Sequence, residues 1–180
     1  MRTFFVGGIH GVGKTSSCER VALELAIPHR GASAMIKAQS ASAILSNTKS
    51  VPNLMGNQEL LVCAVVNYLS SSEQNLLVDG HFSVPDGDFR VSVIPLTVFR
   101  QLRLAGVAIC HDEPARIQGR RISRDGSSPS IQQIAAHQRL EIEHAQFVAL
   151  SLRIPFCEIA AFDTQALSKA VAEAFRDESA

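Results

Sequence analysis

The chain has 180 residues, 46% of them hydrophobic and 19% charged. That suits one domain with a single sizeable core and excludes a disordered chain. Lysine plus arginine balances aspartate plus glutamate at 17 each, so no global charge draws the chain to nucleic acid or to an anionic membrane.

The elements follow in chain order. Thr3 to Val6 is a short apolar run ended by Gly7-Gly8, which reads as a buried strand. It is too short for a secretory h-region. No apolar run approaches the roughly 20 residues that span a bilayer. Lys14 to Ala26 carries Cys18, Val21, Ala22 and Leu25 at helical spacing and stops before Pro28. Helices are expected over Ala32–Leu45 and Gly56–Leu69. Leu76–Asp79 is a buried strand ending on an acid, and Ser83–Asp88 a loop. A short helix over Pro95–Leu104 precedes a strand over Ala105–Cys110. Glu113–Ile122 is a helix opened by Pro114. Asp125–Ser130 is a loop, Ile131–Leu150 a long helix, Arg153–Ile159 the last strand and Thr164–Phe175 the last helix. Alternating strands and helices predict a parallel sheet covered on both faces, in one domain over residues 1–180. Cys18, Cys63, Cys110 and Cys157 form no CxxC pair. They read as free thiols, which fits a cytoplasmic protein.

Gly8-Ile9-His10-Gly11-Val12-Gly13-Lys14-Thr15 matches G-x-x-x-x-G-K-[ST] at every fixed position. Glycines at 8, 11 and 13 let backbone amides approach a phosphate, and successive N–H groups form an anion nest at a helix start. The backbone of Gly8, Gly11, Val12, Gly13 and Thr15, with Ser16 after it, is expected to bind ATP. Lys14 brings charge to the β- and γ-phosphates, and Thr15 offers a hydroxyl to Mg²⁺. The strand before the motif and the amphipathic helix after it supply the context a P-loop requires.

Asp79 ends a strand at the sheet edge where ligands bind, and can position Mg²⁺ or an acceptor. His81 is a weaker candidate. Arg116, Arg120 and Arg124 recur every four residues with Arg121 beside them. If the helix continues that far, they share a face and can stabilise the transferring phosphoryl group, with residues 116–130 acting as a lid. His137, Glu141 and His144 suggest a metal site by spacing but read better as a solvated polar face.

Together these residues resemble the nucleoside monophosphate kinases, most of all the archaeal-type adenylate kinases. The segments that carry the likeness are Gly7–Thr15, Leu76–His81, Asp112-Glu113-Pro114 through Ile122, and His137-Gln138. The resemblance implies a P-loop NTPase with an α/β/α arrangement and a five-stranded parallel sheet of order 2-3-1-4-5. It also implies transfer of the γ-phosphoryl group of ATP to a nucleoside monophosphate. In many adenylate kinases an acid and an arginine stand where this chain has Ser33-Ala34-Met35-Ile36-Lys37, and the arginine after His-Gln is Ile142, with Arg139 nearby. The acceptor therefore stays open between a nucleoside monophosphate and another small metabolite. An ATPase or ATP-sensing module working with a protein partner, and a homo-oligomer, are also compatible with the sequence.

Overall fold

The computed structural model describes residues 1–45, 56–85 and 90–176. The strands are β1 (Thr3–Gly7), β2 (His29–Gly31), β3 (Leu76–Asp79), β4 (Ser83–Pro85), β5 (Val91–Val93), β6 (Leu104–His111) and β7 (Phe156–Ala160). The helices are α1 (Lys14–Leu25), α2 (Ala32–Leu45), α3 (Asn57–Ser71), α4 (Leu96–Gln101), α5 (Pro114–Asp125), α6 (Ile131–Leu152) and α7 (Thr164–Arg176). The main sheet is parallel and runs β2-β3-β1-β6-β7. Numbering those five strands alone in chain order gives 2-3-1-4-5, the expected arrangement.

Strand periodicity divides the core between the two faces of the sheet. Phe4 and Val6 pack with α1 and α7 through Cys18, Val21, Leu167 and Val171. Phe5 points the other way, into a cluster with Phe82, Phe99, Val107 and Val148. Its ring meets Phe82 and Phe99 edge-on, with centroids 5.2 and 5.6 Å apart. Burial on both faces explains why these strands read as unbroken apolar runs.

Several boundaries differ from expectation. The β2 strand spans three residues, two of them polar, and exists by pairing with β3 from His29↔Leu77 to Gly31↔Asp79. Part of the segment expected as a loop forms a small antiparallel ladder, Ser83↔Val93 to Pro85↔Val91. The rest of that loop lies outside the described residues. The α5 helix runs three residues further than expected and ends at Gly126 with φ 74°, so Arg124 is helical. The last strand begins at Phe156, because Arg153 adopts φ 56° and caps α6. Among the described residues no helix is long and apolar enough to cross a membrane.

Candidate active site

The carboxyl ends of β1, β3, β6 and β7 converge on the P-loop, so the site sits where the strand order reverses around β1. The loop's shape depends on two glycines above all. Gly11 has φ 85° and Gly13 φ 105°, and a Cβ on either would meet a side chain, Arg121 at 2.7 Å or Phe162 at 2.6 Å. The first N–H groups of α1 have no partner within the helix and face the loop's concavity. Lys14 is 7% exposed. Its Nζ donates to the carbonyl of Gly8 at 2.7 Å and to that of Ile9 at 3.3 Å. Burial lowers its pKa, and Glu141 and Asp79 oppose that shift.

Asp79, the last residue of β3, is tied to the P-loop and to β2. Thr15 Oγ1 donates to Asp79 Oδ2 at 2.8 Å, and His29 Nε2 donates to Asp79 Oδ1 at 2.7 Å. Burial would raise the carboxyl pKa, but hydrogen bonds from His29 and Thr15 outweigh it and the net shift is downward. His29 was not expected here; β2 is what carries it to Asp79.

The arginines separate by role. Arg120 Nε donates to the carbonyl of Gly11 at 2.8 Å, and its Nη2 to Asp112 Oδ2 at 2.7 Å. Its guanidinium also lies over the Phe162 ring, 5.4 Å from the centroid. Arg124 donates to His10 Nε2 and pairs with Asp125. Arg116 does not join them: its side chain is 69% exposed and pairs with Glu113 and Asp112. The expected common face is thus split by how α5 docks on the P-loop. Gln118 ties the loop after α5 back to this helix by donating to the carbonyl of Pro129 at 2.9 Å.

Glu141 corrects the expectation of a solvated polar face. It is fully buried. Its carboxylate accepts from the backbone N–H of Gly8, Phe82 and Ser83 and from Ser83 Oγ. Gly8 therefore spends its N–H on Glu141 rather than offering it to a phosphate. His137 Nε2 lies 3.1 Å from Ser83 Oγ, and His144 Nε2 donates to the carbonyl of Ile94 at 2.7 Å. Among the described residues no three His, Cys, Asp or Glu side chains cluster as a metal site. Gln138 grips the backbone of Asp112 from both sides, accepting from its N–H and donating to its carbonyl. Lys37 and Arg139 are exposed, and Ile142 is partly buried against the core.

A cavity of about 420 Å³ covers the P-loop, lined by Gly11, Gly13, Lys14, Thr15, Ser16 and Asp79, with Arg120, Arg124 and Phe162 at its sides. Val12 is fully buried, so only its backbone is available to a ligand. Phe162 is 51% exposed and offers an aromatic face beside the phosphate loop. A second cavity of about 610 Å³ opens between the P-loop, the β4–β5 ladder and α6. A third of about 350 Å³ lies between α2, α3 and α4. His81 lines all three. Burial and the charge of Lys14 push its pKa down to about 3, so the imidazole is neutral.

A P-loop entering α1 at the switch point of a parallel sheet defines a P-loop protein. The sequence matches the model of the AAA domain over residues 7–137, well over half of its length, and the chain belongs to that family. Among solved structures, a gluconokinase from Sinorhizobium meliloti 1021 is similar at TM-score 0.54 and 14% identity, over 97% of this chain and 92% of that one. An uncharacterized protein from Eubacterium ventriosum ATCC 27560 is similar at TM-score 0.55 and 9% identity, over 98% and 99%. At these identities the likeness concerns the fold. No curated protein sequence matches the chain.

Proposed function

We propose that the chain is an ATP- and Mg²⁺-dependent phosphotransferase that acts on a small-molecule acceptor. The observation that carries this reading is the convergence of Lys14, the Thr15–Asp79 pair and Arg120 on one glycine-shaped loop. The residues fit the ligands the reading requires. Lys14 sits on two carbonyls that cannot neutralise it, a position from which a phosphate can recruit it. Thr15 and Asp79 present a hydroxyl and a carboxylate oxygen 2.8 Å apart, a hard-oxygen pair that suits Mg²⁺. Bound there, Mg²⁺ would supply positive charge to the β- and γ-phosphates.

In the reaction an acceptor oxygen attacks the γ-phosphorus and forms the new P–O bond. The bond from that phosphorus to the β–γ bridging oxygen breaks, and ADP leaves with the electron pair. A hydroxyl acceptor gives its proton to an oxygen of the transferred phosphoryl group, while Asp79, its carboxylate engaged by Thr15 and His29, would serve Mg²⁺. Arg120 and Lys14 offset the charge that develops.

The acceptor reading departs from the adenylate-kinase resemblance. The cavity between α2 and α3 has no lysine or arginine among its described lining residues, so a nucleotide's phosphate dianion would lack a counter-charge there. That favours a small metabolite over a nucleoside monophosphate. A gluconokinase shares the fold, so sugar acids belong in the test panel. Incubation with ATP, Mg²⁺ and a panel of nucleoside monophosphates, sugars and hydroxy acids, with product separation, tests the proposal. Phosphorylated acceptor is expected from the wild type and none from Lys14→Ala. Equal turnover by Lys14→Ala would overturn it.

A further inference from the structure

The second cavity differs in chemistry from the third. Its walls are apolar at Ile9, Val84, Pro85, Val91 and Ile134, and among its described lining residues there is no carboxylate. Among those described lining residues the one permanent cation is Arg121. Arg116, Arg120 and Arg124 each have a carboxylate partner. Arg121 has no such ion pair among the described residues, and its Nε is buried without a hydrogen-bond partner. Its stem lies against Gly11 of the P-loop. His81 Nδ1 is likewise buried without a partner, and burial keeps His137 on the neutral side of its usual range. A cation whose Nε is buried without a partner, set among apolar walls, is complementary to one anionic group on a small body. His10 and His81 line both this cavity and the one over the P-loop, so they mark the passage between a ligand here and the γ-phosphate.

We propose that the second cavity is the acceptor site. It takes a small molecule bearing one carboxylate or phosphate, paired to Arg121, with its hydroxyl at the His10–His81 boundary. This rests on the phosphotransferase reading, and the transfer step is the one given above.

The test uses the full chain and matched probes: gluconate and glycerate against uncharged glucitol and glycerol, and glycerol 3-phosphate to separate phosphate from carboxylate. Binding is read as a melting shift with ADP present to occupy the P-loop, and transfer is read as product. The anionic member of each pair is expected to bind and to be phosphorylated. Arg121→Gln is expected to raise its KM about 10- to 100-fold, with kcat and the KM for ATP nearly unchanged. Arg121→Lys is expected to recover part of the loss, which separates charge from folding. Three results would each overturn the site: preference for the uncharged partners, an unaltered KM in Arg121→Gln, or no anion-specific melting shift in the wild type. Failure of ATP itself to bind would instead overturn the phosphotransferase reading, and the site with it.

Discussion

Replacing Glu141 tests whether one buried carboxylate organises the site. It joins Gly8, at the mouth of the P-loop, to Phe82 and Ser83, just beyond β3. All three residues are buried, so loss of the carboxylate strands three backbone N–H groups away from water. Each stranded donor costs about 1–3 kcal/mol. Leucine fills much of the volume but accepts nothing, so Glu141→Leu should cost about 4 kcal/mol or more, a large share of the roughly 5–15 kcal/mol that holds a domain folded. Glu141→Gln keeps one oxygen for Phe82 and Ser83 but turns an amide toward the donor of Gly8. That change should cost about 1–3 kcal/mol and weaken ATP binding, because the loop's first turn loses its tether. Urea unfolding at pH 7, extrapolated to water, reads the first quantity, and nucleotide titration the second. A leucine variant within about 1 kcal/mol of wild type would refute the reasoning, since surface-like substitutions fall in that range.

Gly13→Ala should destabilise the loop by about 1–2 kcal/mol from backbone strain at φ 105°, and the new Cβ collides with Phe162. Adding Phe162→Ala should relieve the collision and leave the strain, which a double-mutant cycle in urea would resolve. His81 stays neutral in the fold because its pKa is lowered from 6.5 to about 3. Its contribution is complete above pH 6.5 and is lost as pH falls through 6.5 toward 3, at about 1.4 kcal/mol per unit. His81→Asn should flatten the slope of stability between pH 6 and 4 by about that amount, and an unchanged slope would place the titration elsewhere. Cys18 and Cys110 are buried, and burial raises both thiol pKa values, that of Cys110 to about 12. In native protein at pH 8 they should resist alkylation, with Cys63 labelled ahead of Cys157, whose pKa burial raises to about 11; peptide mapping reads the order.

The phosphate loop could be read from the chain because its information is contiguous. Eight residues fix the turn, and the apolar strand before it and the helix after it are local patterns. Asp79 was legible for a similar reason, as an acid closing a short apolar run. Glu141 was not. On the chain it looks like one more polar residue of a long helix, and its partners lie 133 and 58 positions away at Gly8 and Ser83. The β2 strand had no periodicity to find in three residues, yet its pairing brings His29 to Asp79. Phe162 carries no motif, and only the loop after β7 sets its ring on Gly13. The spacing of Arg116, Arg120 and Arg124 promised one face. Docking of α5 turned Arg120 to the loop and Arg116 to solvent, and set Arg121 against the second cavity. Backbone stereochemistry and hydrophobic period act over a few residues, so a sequence displays them. A buried charge is defined by the groups that replace its water, and those come together only when the distant segments pack.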